Sequence, residues 1–150
     1  MTEAAQVPAD PSLLYVLKQL ELAARSGLDD IFRPVGLTAH QYTALTVLER
    51  HPDMSSAQLA RYSFVTAQSM ADMVAALLAA GLIERHRDQA DRRRLVLALT
   101  AAGRDLLDRY RGEVAALQAR MLADFSKKEA ADLWRMLRQC RANLSGQPPR

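Results

Sequence analysis

At Gly81 the hydrophobic period of this chain changes. Before it, apolar residues recur at helical spacing; after it, Leu82-Ile83-Glu84-Arg85-His86-Arg87 and Arg94-Leu95-Val96-Leu97-Ala98-Leu99 read as two short strands. The polar loop Asp88 to Arg93 joins them into a hairpin, and helical spacing resumes after Thr100. The order requires a fold that is mainly α with a small β-hairpin set among its helices.

The helices can be delimited from their caps. From Ser12 a stripe of Leu13, Leu17, Leu20, Ala24, Leu28 and Ile31 predicts one long amphipathic helix that stops before Pro34 and Gly36. Thr38, with Gln41 three residues on, opens a second helix that ends before Pro52. A short third helix starts at Ser55 or Ser56, buries Leu59 and closes around Tyr62. Thr66 caps a fourth, with Met70, Met73, Val74, Leu77 and Leu78 inward and Gly81 as its stop. Thr100 caps a long fifth helix striped by Leu106, Tyr110, Val114, Leu117 and Met121. Ser126 and Glu129 form a capping box for the last, through Leu133, Met136, Leu137, Cys140 and Leu144.

Composition excludes several classes. A chain of 150 residues with 49% hydrophobic and 25% charged residues suits one domain, or one domain plus an extended dimerisation element. No apolar run reaches the length of a membrane span, and the N-terminal stretch does not read as a signal peptide, so a cytoplasmic protein is expected. The single Cys140 forms no internal disulfide and is expected to be buried and inert in its apolar stripe. Residues 1–10 and 145–150 lack periodicity and read as flexible ends. The net charge of +3 is mild, so the distribution of charge carries the information.

That distribution is uneven. Arg85, Arg87, Arg92, Arg93 and Arg94 lie on the hairpin and its loop, the densest basic cluster in the chain. Two short helices joined by a tight turn, the second followed by a hairpin, form the layout in which one helix enters a major groove while the wing reaches the adjacent minor groove. On a helical wheel the outward face after Thr66 holds Gln68, Asp72, Ala75 and Ala79, flanked by Ser69. Gln68 and Ser69 can bond base edges, and Thr66 a phosphate or its own helix N-terminus. Asp91 is read as orienting the Arg93 guanidinium through a charge-assisted hydrogen bond. Asp72 stands out on this face, because a carboxylate repels phosphate unless it pairs with an arginine or accepts from a cytosine amine.

The stretch from Gly36 to Leu107 resembles the multiple-antibiotic-resistance repressor (MarR) family. The resemblance is carried by Gly81-Leu82-Ile83 with Arg85, then Asp91-Arg92-Arg93, then Leu99-Thr100 and Gly103. It implies a winged helix-turn-helix over 36–100, flanked by N- and C-terminal dimerisation helices over 11–34 and 101–144. It further implies a homodimer on the half-sites of a pseudopalindrome in double-stranded DNA, with Thr66, Gln68 and Ser69 in the major groove and Arg92 or Arg93 in the minor groove. The family's effectors are small phenolic or anionic molecules bound between the dimerisation helices and the winged domain. Tyr15, Phe32 and Tyr42 fit the lining of such a pocket and fit a core equally well.

The chemistry of an enzyme is not in evidence: the sequence holds no nucleophile and base pair, glycine-rich phosphate loop or carboxylate dyad. His86, Asp88 and Asp91 make a poor metal cluster in so basic a loop, and neither a metal nor a cofactor is expected. The alternative from another class is a winged helix turned to protein contact, for which Asp72 and the exposed alanines argue.

Overall fold

A computed structural model describes residues 12–146. The proposed flexible segment 1–10 and most of the 145–150 tail lie outside the described residues. Ser145 is helical and Gly146 is its left-handed cap, so the last helix runs one residue further than its apolar pattern.

Six helices and one hairpin follow in the expected order: α1 (Leu13–Phe32), α2 (Ala39–Arg50), α3 (Ser56–Ser63), α4 (Ala67–Ala79), β1 (Ile83–Arg87), β2 (Leu95–Leu99), α5 (Ala101–Met121) and α6 (Lys127–Ser145). Every cap named from the sequence is made. Thr38 and Gln41, Ser55 and Gln58, and Ser126 and Glu129 form reciprocal capping boxes, each satisfying N–H groups that a helix start leaves unpaired. Between α1 and α2 a single 3₁₀ turn, Arg33–Val35, takes Pro34 where its missing N–H costs nothing, and Gly36 closes it at φ 70°. Asp29, on α1, accepts from the Ala39 N–H at 2.7 Å and ties the start of α2 to the first helix.

The chain divides into two compact units at Val114, within α5. The core of the first unit gathers α1 through the start of α5 around Phe32, Leu45, Leu48, Leu59, Met70 and Leu77, all fully or almost fully buried. Phe32 stacks on Tyr42 at 4.5 Å and tilts against Tyr110 at 5.0 Å, so two of the three aromatics considered as pocket lining are packed in this core. The third, Tyr15, is exposed. Burial raises the pKa of the half-buried Tyr42 phenol above its ordinary value, with Arg111 opposing and Glu49 reinforcing the shift. Arg111 bonds Asp108 at 2.7 Å and Glu49 at 2.9 Å, which links α5 to α2.

One compact knot joins α4, the hairpin and α5. Gly81, at φ 71°, turns the chain out of α4, and the Leu82 N–H donates back to Leu77 O at 3.1 Å. The Thr100 N–H donates to Leu82 O, and its hydroxyl donates to Gly81 O at 2.6 Å while accepting from Gly103 N–H. The first turn of α5 therefore lies on the α4–β1 turn, so closely that a Cβ at Gly103 would stand 2.1 Å from Leu82 O. The residues that carry the family resemblance on either side of the hairpin are the parts of this knot.

The second unit comprises the remainder of α5 and α6. Lys128 and Arg135 both pair with Asp132, and Arg138 lies over the Trp134 ring at 4.4 Å. Trp134, Met136 and Leu144 are exposed. Cys140 is exposed as well, which corrects the expectation of a buried thiol: the stripe that contains it is solvent-facing on the single chain.

Candidate nucleic-acid interface

The wing is an antiparallel pair in register Ile83 with Leu99 and Arg87 with Leu95, each strand starting one residue later than its apolar pattern suggested. Leu97 N–H also donates to Met54 O at 2.8 Å, a bridge that fastens β2 to the turn before α3. On β1, His86 Nε2 lies 2.9 Å from an Asp53 carboxylate oxygen, a second tie to the same turn.

The loop between the strands is shaped by its two aspartates. Asp88 Oδ1 accepts from Ala90 N–H and Asp91 Oδ1 from Arg93 N–H, both at 3.0 Å, and the Arg94 N–H donates to Asp91 O. The two side-chain bonds are the i to i+2 bonds by which aspartate stabilises a turn. Asp91 therefore orders the wing through the backbone of Arg93 and not, as its charge suggested, through the guanidinium. This frees the charge: Arg92 and Arg93 are exposed at the tip with no ion-pair partner among the described residues, and Arg85 is likewise exposed and unpaired.

The remaining two arginines are committed. Arg87 donates across the loop to Arg92 O at 2.9 Å. Arg94 turns toward the body, donating to Gln58 Oε1 on α3 and lying 3.7 Å from Asp88. In this geometry Arg94 braces the wing. Gln58, which caps α3 and receives Arg94, was missed as a functional residue, although its place three residues after Ser55 was visible and selects Ser55 over Ser56 as the cap.

At the start of α4, Thr66 takes the helix-capping alternative. Its hydroxyl accepts from Ser69 N–H at 3.1 Å and donates to Ser69 Oγ at 3.0 Å. Gln68 and Asp72 lie on the same exposed face, where Gln68 Nε2 approaches Asp72 Oδ1 at 3.5 Å, and no arginine pairs with Asp72 among the described residues. Phe64, at the turn between α3 and α4, adopts the left-handed region at φ 58° while its ring is 78% exposed.

Behind the N-terminus of α4 is an open cleft of about 420 Å³, lined by Arg25, Asp29, Thr38, His40, Val65, Ser69 and Met73. This is within the usual volume range of small-molecule sites. Arg25 is paired with Glu21 at 3.2 Å. Of these residues Ser69 also belongs to the exposed face of α4, so the cleft and that face meet at one side chain.

Two helices joined by a turn, an exposed polar face on the second and a fastened wing with free arginines define a winged helix-turn-helix. Comparison with known proteins gives the family. The MarR family profile matches residues 35–94. The HTH-type transcriptional repressor Rv2887 of Mycobacterium tuberculosis is 34% identical over 128 residues, covering 85% of this chain and 92% of that protein. Its crystal structure in complex with DNA aligns with a TM-score of 0.71 at 33% identity, over 87% of this chain and 98% of that one. Its complex with salicylic acid gives 0.72 at 33% identity, over 89% and 99%. The transcriptional repressor CouR, bound to a 23-mer DNA duplex, aligns with a TM-score of 0.79 at 27% identity, over 93% and 99%. The chain belongs to the MarR family of DNA-binding transcriptional regulators and is not an enzyme.

Proposed function

We propose that this protein is a ligand-responsive repressor that binds a pseudopalindromic operator as a homodimer. The observation that carries this reading is the conjunction of a small, hydrogen-bonding face on α4 with a fastened wing whose tip arginines have no ion-pair partner among the described residues. Gln68 and Ser69 face base edges in the major groove, with Thr66 acting through the cap it forms. Arg92 and Arg93 enter the minor groove and Arg85 meets a phosphate, joined by the N–H donors that Arg87 keeps beyond its bond to Arg92 O.

The dimerisation elements are the segments 11–34 and 101–144, to which α1, α5 and α6 belong. On α1, Leu13, Leu14 and Tyr15 are exposed, as are Trp134, Met136 and Leu144 on α6, more apolar surface than a solvated helix retains without a partner. A second copy of the chain is the partner that supplies two half-site readers one helical turn apart. A cytoplasmic location goes with a function on DNA. Among the described residues no helix is long and apolar enough to cross a membrane.

The effector is a small aromatic acid, the class to which the salicylic acid bound by the mycobacterial relative belongs. The cleft behind α4 is its site, with Val65 and Met73 for the ring and Arg25 and His40 for the carboxylate. A ligand seated against Ser69 and Met73 shifts α4 relative to α1 and changes the separation of the paired recognition helices. The test is fluorescence anisotropy with duplex from upstream of the protein's own gene, titrated with salicylate. Specific binding released by salicylate is expected. Binding no tighter than to random duplex would favour the protein-contact module instead, and specific binding indifferent to salicylate and to related aromatic acids would remove the effector.

A further inference from the structure

The exposed face of α4 carries no positive charge. Its exposed positions are alanines except for Gln68, Ser69 and Asp72, and of these three Gln68 and Asp72 have the longer side chains. The alanines allow the helix to seat deeply, which brings Asp72 into the groove with it. There it stands without a cation: the only contact to its carboxylate is the Gln68 amide at 3.5 Å, and no ion pair involves it among the described residues.

A carboxylate between two phosphate strands is repelled at every sequence. The repulsion is offset only where the groove presents a donor. Guanine shows O6 and N7 and thymine shows O4, all acceptors; adenine shows an amine but sets the N7 acceptor beside it; cytosine shows the N4 amine without an acceptor of its own alongside. We infer that Asp72 is a specificity-determining residue, whose carboxylate accepts from the N4 amine of one cytosine in each half-site. This rests on the reading in which α4 occupies the major groove. Gln68 gives one amide hydrogen to Asp72 and keeps its oxygen and its second hydrogen, the pair that reads adenine N6 and N7. The couple thus reads neighbouring positions.

A division of labour follows. Phosphate neutralisation comes from the wing, and α4 contributes discrimination at a cost in general affinity. Removing the Asp72 charge then tightens binding to unrelated DNA while erasing one preference.

The experiment is selection of binding sites from duplexes with a randomised core, carried out with the full-length protein, Asp72→Ala and Asp72→Asn, followed by anisotropy on the selected duplex and on versions altered at each symmetric pair of positions. The wild type should select a cytosine whose replacement by thymine weakens binding roughly tenfold. Asp72→Ala should lose that preference to within about twofold, bind random duplex more tightly, and unfold at the wild-type temperature because the side chain is exposed. Asp72→Asn should select adenine at the same position, since its amide suits N6 and N7. If both variants select the same cytosine as the wild type, the inference fails while the placement of α4 stands. If the wild type selects no sequence at all, the placement of α4 fails and the inference with it.

Discussion

Replacing Gly103 by alanine should destabilise the protein, against the ordinary benefit of alanine in a helix. The new Cβ would stand 2.1 Å from Leu82 O and 3.3 Å from a Leu99 methyl carbon, and the first obstacle is backbone that no rotamer change can clear. Restoring ordinary contact takes movement of about 1.3 Å. A retreat of that size stretches the Thr100 N–H to Leu82 O bond from 3.1 Å to beyond hydrogen-bonding range. Overpacking of this kind costs about 1–3 kcal/mol and the lost bond about 1 kcal/mol, offset by up to about 1 kcal/mol of helix propensity. The net is a loss of about 2 kcal/mol, or roughly 4–8 °C in melting temperature for a chain of this length. Gly112 supplies the control. It lies in the same helix with nothing within 4 Å of its Cβ position, so Gly112→Ala should gain about 0.5–1 kcal/mol. Urea unfolding of both variants at one protein concentration reads the difference, and fixing the concentration removes the effect of association. A Gly103→Ala protein as stable as Gly112→Ala would refute the knot as the junction of α4, wing and α5.

Phe64→Gly should raise stability by about 1 kcal/mol in the same assay, because a left-handed φ is strained for phenylalanine and its exposed ring returns little packing. Arg94→Ala should speed hydrogen exchange at the Asp88 and Arg94 amides, which close the wing loop, while leaving exchange in the middle of α2 unchanged. Tyr42 holds its proton more tightly folded than unfolded, so its contribution is complete below its unfolded value near 10.0 and is lost as pH rises through the raised folded value. Urea midpoints measured between about pH 9 and about pH 11 should therefore fall more steeply for the wild type than for Tyr42→Phe; parallel falls would show that the phenol does not contribute.

The sequence made most of this legible where the determinants are local. Caps such as Thr38 with Gln41 and Ser126 with Glu129 involve residues three apart, and a change of period at Gly81 is a property of a short window. The knot around Gly103 was visible only as a family pattern; its cause, the approach of α5 to Leu82 O, is tertiary. The wing was read correctly as a basic hairpin, but the direction of each arginine was not recoverable. Arg94 is turned by Gln58, thirty-six residues away in the chain, and Asp91 prefers a backbone N–H two residues on to the guanidinium that charge alone would choose. His86 finds Asp53 across the same packing. Cys140 was misplaced for a related reason: periodicity reveals an apolar stripe on α6 without revealing whether the chain itself covers it, and on the single chain it does not.

The central claim is that DNA is held by the arginines the wing leaves free. Its most direct test is the salt dependence of binding to a specific duplex, by anisotropy, for the wild type and for Arg92→Ala/Arg93→Ala. A plot of log affinity against log salt should be linear, with a slope that flattens by about 1 for each phosphate contact the double variant loses, and with affinity reduced at low salt. An unchanged slope with unchanged affinity would contradict the account and place the DNA contacts elsewhere on the chain.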